Sequence, residues 1–231
     1  MSAAQRPEGK TASSSQKRPG LRAAASALAA IGREFHARGW ARGTSGNYSA
    51  VLQHSPLRLL ISSSGLDKSQ LHATDFLTAA EPDASGIRVL SGKGKPSAET
   101  LLHFAVARAR AAGSVLHTHS VWNTLLSERF ATKDGLAIQG YEMLKGLEGV
   151  ATHEHREWIP IFRNTQNIAA LAEEVESLLG REPAVHAFLL AGHGLYTWGE
   201  DVAQARRHVE ILEFLFEVVG RREFSAPHSP A

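Results

Sequence analysis

The sequence predicts an α/β fold in which a mixed β-sheet is covered by helices on both faces. Apolar runs with helical spacing alternate along the chain with short apolar runs typical of strands. The connections between these runs are often short and no internal repeat is visible, which favours one layered domain. At 231 residues and 43% hydrophobic content, the chain is long enough to bury one substantial core.

Composition limits the possible functions. The net charge is +2 and the basic residues are scattered, so nothing predicts a nucleic-acid partner. No apolar run is long enough to cross a bilayer, so no membrane partner is expected. Because cysteine is absent, disulfides and thiolate ligands are excluded, and a transition metal would have to be held by His, Asp or Glu.

The two ends of the chain are expected to lie outside this domain. Residues 1–20 are rich in Ser, Arg, Lys, Pro and Gly and lack the apolar segment of a secretory signal, which predicts a disordered tail on a cytoplasmic protein. The domain itself is expected over residues 21–222, with a short C-terminal tail at 223–231.

The first ordered elements are a helix and two pairs of strands. Apolar residues three or four positions apart predict a helix from Leu21 that Gly39 ends. Strands are predicted at 48–53 and 57–62, each next to a loop of Gly, Ser and Thr, at 42–47 and 62–65. Such loops can wrap an oxyanion with N–H groups and hydroxyls, although each is also compatible with an ordinary turn. Segments 76–79 and 87–90 predict a hairpin joined across 81–83.

A helix and a strand follow in the middle of the chain. Pro96 and Ser97 mark the helix start, and Glu99 lies in its first turn, where a carboxylate usually interacts with the helix dipole. The next strand leads to His117 and His119. We expect Glu99 and these histidines at opposite ends of the αβ unit, so that another subunit or a folded-back loop would have to bring them together.

The rest of the chain alternates in the same way, with predicted helices at 121–130, 167–179 and 201–219 and strands at 136–138, 158–162, 185–190 and 195–198. Glu142 and Lys145 are three residues apart and can pair on an exposed helical turn. His153 and His155 form a His-x-His pattern among charged residues, which predicts a solvated loop.

The strongest candidate for a metal site is the pair His117 and His119 at the end of an apolar strand. Alternate residues of a strand face the same side, so the two imidazoles can aim at one point. His193, between two glycines after a later apolar run, can approach the same ion. Three imidazoles with an open coordination position are typical of catalytic zinc, although they also suit iron, cobalt, nickel or manganese.

Five motifs together resemble the class II aldolase family over residues 21–219. They are GTSGN at 43–47, SSG at 63–65, KPSAE at 95–99, HTHS at 117–120 and GHG at 192–194. In the family, similar motifs form two phosphate loops, an acid/base segment and the metal ligands. The resemblance implies a three-layer α/β/α catalytic domain with a mixed, largely antiparallel sheet. It also implies one zinc ion per subunit and a homotetramer with active sites at subunit interfaces.

The resemblance also assigns individual residues. It implies a phosphorylated ketose substrate whose phosphate binds Thr44, Asn47, Ser64, Gly65 and Ser97, and a metal held by His117, His119 and His193. Family aldolases commonly carry two serines before the acidic residue, whereas Ala98 stands here. The phosphate contacts must therefore differ in detail.

Two further segments, QGYEMLKG at 139–146 and YTWG at 196–199, resemble a dehydratase branch of the family. That branch eliminates water from a methylthio-substituted pentulose 1-phosphate in methionine salvage. The resemblance favours Glu142 for proton transfer at the substrate, with Glu99 as second participant, and leaves open which of them removes and which donates a proton. Cleavage or epimerisation of a sugar phosphate at the same site, and a non-catalytic adducin-like scaffold, are the alternatives.

Overall fold

The structure is a computed structural model that describes residues 20–83 and 86–225. The predicted tails fall mainly outside these residues. The strands are β1 (Asn47–His54), β2 (Leu57–Ser62), β3 (Phe76–Asp83), β4 (Gly86–Ser91), β5 (Ser114–Thr118), β6 (Gly135–Ile138), β7 (Glu157–Phe162), β8 (Ala187–Leu190) and β9 (Gly194–Gly199). The helices are α1 (Leu21–Ala37), α2 (Thr100–Arg110), α3 (Val121–Phe130), α4 (Ile168–Arg181) and α5 (Val202–Ser225).

The described strands form one sheet in the order β4-β3-β2-β1-β5-β9-β8-β7-β6. The β7–β8 pair is parallel and the other neighbouring pairs are antiparallel. Helices α2 and α4 pack on one face of the sheet, and α1, α3 and α5 on the other. The predicted mixed, largely antiparallel sheet between two helical layers is therefore confirmed.

Side-chain alternation in β5 shows how the two layers meet the sheet. Val115 packs with α2 and α4, whereas the next residue, Leu116, packs with α1 and α5. His117 therefore faces the α2 layer and Thr118 the α5 layer. This places the first metal candidate on the side of the sheet where α2 begins.

One edge of the sheet gathers the loops that carry the candidate motifs. Because β1 is antiparallel to both β2 and β5, the start of β1 lies beside the ends of β2 and β5. Since β5 is also antiparallel to β9, the start of β9 lies at the same edge. The loops 42–47, 62–65 and 191–193 therefore converge there, next to the end of β5.

Several predicted boundaries were wrong. Residues 81–83 belong to β3, which pairs with β4 as far as Asp83, rather than to a turn. Helix α2 begins at Thr100, after Pro96 and Ser97. Helix α5 continues to Ser225, beyond its predicted end at Val219. The segment at 153–157 is not a fully solvated loop, since Glu157 is completely buried at the start of β7.

Within the described residues, no helix has the length and apolar character needed to span a membrane.

Candidate active site and metal centre

Three histidines converge at the gathered edge of the sheet. The Nε2 atoms of His117 and His119 lie 2.8 Å apart, and one nitrogen from each of His117, His119 and His193 lies within 4.8 Å of the others. His117 Nδ1 donates to the carbonyl oxygen of Leu195 at 2.9 Å. This bond leaves the lone pair of the neutral ring on Nε2, facing the other two histidines, as in metal-ligating imidazoles held by a backbone carbonyl.

Close approach of the β8–β9 turn to β5 depends on Gly194. A Cβ at this position would lie 2.2 Å from the carbonyl oxygen of Thr118 and 2.9 Å from Cε1 of His117. Any side chain would therefore push His193 away from the other two imidazoles. Gly192, directly before His193, has a φ of +63°, a conformation that favours glycine. The prediction that glycines allow His193 to reach the site agrees with this geometry.

His117 and His119 have the charge state that a metal requires. Burial is the main reason that the pKa of His117 lies well below its usual range. Burial, together with the neighbouring His193, lowers the pKa of His119 to about 4. Both rings are therefore neutral at pH 7 and can coordinate a cation without first losing a proton. The donor set fits a divalent transition-metal ion.

Glu99 lies beside these histidines in the same chain. Its Oε1 is 3.2 Å from His193 Nε2, and its Oε2 is 3.9 Å from His117 Nε2. The expectation that the helix and the strand hold these groups at opposite ends was wrong. Helix α2 and strand β5 are both about 16 Å long and run in opposite directions, so the start of α2 returns to the end of β5.

The carboxyl of Glu99 is ionised at neutral pH. Burial by itself would raise its pKa, but contacts with His193, His117 and the Asn47 amide together hold the pKa well below the usual range. Asn47 Nδ2 donates to Glu99 Oε2 at 2.6 Å. The side chain is thereby oriented as a carboxylate whose two oxygens face different partners.

A buried chain of hydrogen bonds continues from the contact between Asn47 and Glu99. His103 is completely buried, and its Nε2 donates to Asn47 Oδ1, because the amide nitrogen of Asn47 is already the donor to Glu99. His103 Nδ1 is then the acceptor for the Ser49 hydroxyl, at 2.7 Å. Burial lowers the pKa of His103 to about 3, so the ring is neutral and the direction of the chain is defined.

A cavity of about 320 Å³ opens next to the histidines and has the size of a small-molecule site. Its lining combines candidates from both loops with the acid and two of the histidines. The sequence-predicted members are Thr44, Asn47, Ser64, Gly65, Ser97, Glu99, His119 and His193. Backbone bonds hold the walls together, since Ser64 N donates to the carbonyl oxygen of Lys95 at 2.9 Å.

Lys68 supports the two candidate loops through hydrogen bonds to their backbone. Its side chain is almost fully buried, and Nζ donates to the carbonyl oxygens of Thr44, at 3.2 Å, and Leu66, at 3.0 Å. The backbone N–H of Lys68 donates to the carbonyl oxygen of Gly43 at 3.2 Å. One residue therefore connects the two candidate loops.

Sequence reasoning missed one wall of the cavity and one buried acid. Asn164, Thr165 and Gln166, just before α4, also line the cavity, and no motif marks them. Glu213 on α5 is buried behind β5 and accepts hydrogen bonds at 3.0 Å from both Thr118 and Asn123. Such contacts between distant segments leave no local pattern.

Glu142 lies apart from this cavity in the chain. It begins a short 3₁₀ turn, Glu142–Gly146, and its side chain is 68% exposed. Its carboxylate pairs with Lys145 Nζ at 2.6 Å and lies 3.4 Å from His153 Nδ1. Among the described residues, those that line the cavity do not include Glu142.

Comparison with known proteins defines the class to which this fold and site belong. Residues 26–219 match the family model described as Class II Aldolase and Adducin N-terminal domain. The chain belongs to this family.

Two curated relatives within this family share a single name. A protein of Methylococcus capsulatus named methylthioribulose-1-phosphate dehydratase is 45% identical over 85% of this chain and 93% of its own length. A protein of Pseudomonas aeruginosa with the same name is 48% identical over 80% of this chain and 88% of its own length. Both similarities extend over most of the catalytic domain.

Solved structures share the fold at lower identity. An aldolase II superfamily protein from Pseudomonas syringae superposes with a TM-score of 0.70 at 22% identity, over 92% of this chain and 80% of that one. L-fuculose-1-phosphate aldolase from Thermus thermophilus gives a TM-score of 0.64 at 22% identity, over 88% of this chain and 95% of that one.

Proposed function

We propose that this chain is a hydro-lyase that converts 5-methylthioribulose 1-phosphate to 2,3-diketo-5-methylthiopentyl 1-phosphate and water. The names and identities of the relatives support this activity. The structural observation that carries it is the convergence of three imidazoles, an ionised Glu99 and two hydroxyl-rich loops on one cavity. A scaffold domain would have no need for this combination.

The proposed cofactor is one zinc ion per subunit, held by His117, His119 and His193. When bound, such an ion supplies Lewis acidity that makes the proton on carbon 3 of the ketose easier to remove. The same nitrogens would accept other divalent transition metals, so the choice of zinc is part of the proposal.

The loops would fix the substrate through its phosphate. Thr44, Ser64 and Ser97 offer hydroxyls, and Gly65 offers a backbone N–H, each typically contributing about 1.5–3 kcal/mol to a charged oxyanion. Asn47 lines the same cavity, but its amide is engaged by Glu99 and His103. We therefore assign it first to the orientation of Glu99 and only then to the phosphate.

Dehydration requires one proton to leave carbon 3 and one to reach the hydroxyl on carbon 4, which departs as water. The resulting enol then loses its O–H proton and gains a proton on carbon 4, which gives the diketone. Glu99 is in place to take or hold a proton inside the cavity. Glu142 is proposed as the carboxyl that transfers a proton at the substrate, supplied across a subunit contact of a homotetramer. The high exposure of Glu142 leaves its carboxylate accessible to a neighbour. We further propose that the protein acts in methionine salvage and is located in the cytoplasm.

A product assay tests this function. The purified protein, loaded with zinc, is incubated with methylthioribulose 1-phosphate, and the products are followed by NMR. A diketone phosphate is the expected product, whereas a three-carbon phosphate would show carbon–carbon cleavage and overturn the proposal. Simple pentulose and deoxyhexulose phosphates serve as substrate controls, and a His117→Ala, His119→Ala variant serves as the enzyme control.

A further inference from the structure

A second cluster of metal-ligating side chains lies away from the catalytic cavity. It consists of His155, Glu157 and His186. Glu157 is the first residue of β7, and His186 directly precedes β8, which runs parallel to β7. Both therefore lie at the edge where these strands start, whereas His193 follows the end of β8 at the opposite edge. The proposed dehydration uses none of the three residues.

The donor atoms of this cluster meet at one carboxylate oxygen. Glu157 Oε2 lies 2.8 Å from His155 Nε2 and 2.9 Å from His186 Nδ1. One ligand atom from each of the three residues lies within 4.8 Å of the other two. Glu157 is completely buried, whereas the side chains of His155 and His186 are 26% and 15% exposed. An ion can therefore enter from the histidine side and meet the buried carboxylate.

The hydrogen bonds around His186 show that a positive charge belongs in the cluster. His186 Nε2 donates to the carbonyl oxygen of Glu148 at 2.8 Å, since a carbonyl can only accept. In the neutral ring the lone pair is then on Nδ1, which faces an oxygen of Glu157 that is also an acceptor. Either a proton or a metal ion must lie between these two atoms.

The backbone contact of His186 Nε2 fixes the orientation of the ring. The same outer contact is present at the catalytic centre, where His117 is held by the Leu195 carbonyl and its other nitrogen faces the site. An imidazole fixed in this way is typical of a metal ligand.

We propose that His155, Glu157 and His186 form a second site, which binds a divalent transition-metal ion of the zinc class. Two imidazole nitrogens and one carboxylate oxygen suit zinc, cobalt or nickel. At metal–nitrogen distances of about 2.0–2.1 Å, tetrahedral ligand atoms are separated by about 3.3 Å. The donors must therefore move apart by a few tenths of an ångström, and the partly exposed His155 has room to do so.

Metal at this site would brace the connection between β6 and β7. This connection is already attached at Glu148, whose carbonyl accepts from His186 and whose N–H donates to His208 Nε2 at 3.2 Å. A bound ion would also attach His155, in the same connection, to His186 and Glu157. We expect a structural role, because the cavity with its phosphate loops lies at the other edge of the sheet.

Metal stoichiometry tests the proposal. The metal-free protein is titrated with Zn²⁺ at neutral pH, and the bound metal is measured by mass spectrometry after removal of free ion. We expect two equivalents per chain in the native protein and one in the His117→Ala, His119→Ala variant. The His155→Ala variant should bind one equivalent, and His153→Ala, a matched change two residues away, should keep both.

Cobalt absorption spectra provide a second measurement that does not depend on activity. In the His117→Ala, His119→Ala background, a visible Co²⁺ band that is lost on the additional His155→Ala change would support the site. One equivalent in the native protein, with none left after loss of His117 and His119, would overturn the proposal and identify the cluster as a protonated His186–Glu157 pair. Since His155 is partly exposed, its replacement is expected to fold.

Discussion

Asn47 Nδ2 donates a 2.6 Å hydrogen bond to Oε2 of Glu99, and the other end of the same amide accepts from His103. The first strand of the sheet thus orients the carboxylate at the start of α2. Because His103 and Asn47 are both buried, neither bond is exchanged for water without cost.

Replacement of Asn47 by Leu should lower kcat more than it raises KM. Loss of a buried hydrogen bond to a charged group typically costs about 1.5–3 kcal/mol, or roughly 10- to 100-fold in rate. Steady-state kinetics on the zinc-loaded protein measure the effect. A His103→Gln variant, which keeps a donor near Asn47, should lose less activity than His103→Leu. An increase in KM with unchanged kcat would assign Asn47 to the phosphate instead.

Removal of two imidazoles should abolish metal binding at the catalytic centre. The His117→Ala, His119→Ala variant leaves one histidine, so its loss of metal there should be complete and dehydration should disappear. Metal analysis before and after chelation, compared with a His72→Ala variant at an exposed position, measures this. Equal activity in the two variants would exclude the proposed centre.

The convergence of His117, His119 and His193 was predictable because its signals are local. A His-x-His at a strand end and a histidine between glycines each constrain geometry within a few residues. The position of Glu99 was not predicted correctly, because the helix and the strand were treated as one extended unit. In the structure they have equal length and run antiparallel, so the start of the helix lies beside the end of the strand. The relative direction of two neighbouring elements depends on how they pack in the tertiary structure, and the local sequence does not determine it.

Replacement of Glu142 by Gln should remove dehydration while metal content and fold are retained. Loss of a positioned acid or base typically costs about 10²- to 10⁴-fold in rate. Glu154→Gln, in the same connection between β6 and β7, is the matched control and should retain activity. Near-native turnover by the Glu142 variant would discard its catalytic role.

Mixed oligomers test whether Glu142 acts across a subunit contact. The inactive Glu142→Gln and His117→Ala, His119→Ala proteins are unfolded together and refolded as a mixture. With random assembly, about a quarter of the sites combine intact histidines with a neighbour's intact Glu142. Recovery of activity on that scale is expected, whereas no recovery would place Glu142 in the same chain as its metal.

Lys68→Met should weaken substrate binding through the two loops that we propose bind the phosphate. Without the ammonium group, the carbonyl oxygens of Thr44 and Leu66 lose their buried donor, and the loops become less rigid. We expect KM to rise by about tenfold, which corresponds to the loss of about 1.4 kcal/mol. The exposed Lys95→Met is the matched control, and equal KM values in the two variants would contradict the bracing role.

Glu213 should make stability depend on pH. Burial raises the pKa of its carboxyl to about 7. The folded protein therefore holds a proton that the unfolded chain releases, so the stabilisation is complete below about pH 4.3 and is lost as the pH rises through about 7. Relative to the native protein, Glu213→Gln should gain thermal stability between about pH 5.5 and 8. Calorimetry measures the difference, with the surface variant Glu217→Gln expected to show no such trend.

Buried polar contacts were the least predictable part of the molecule. His155 and Glu157 were expected in a solvated loop because their neighbours in sequence are charged. In the fold, Glu157 is buried by the start of β8, which is distant along the chain. Burial of this kind depends on which strands become neighbours, and single-sequence patterns do not encode that order.

The convergence of four strand ends at one edge has an evolutionary consequence. Each of these strands contributes residues to the cavity at its end or in the loop just beyond it. A longer or shorter loop would therefore alter the cavity, while the backbone hydrogen bonds between the strands keep their register. Selection can therefore reshape the cavity without disturbing the arrangement of the three histidines. Gly194 marks the limit of this freedom, because the contact it permits is between backbones and tolerates no added atom.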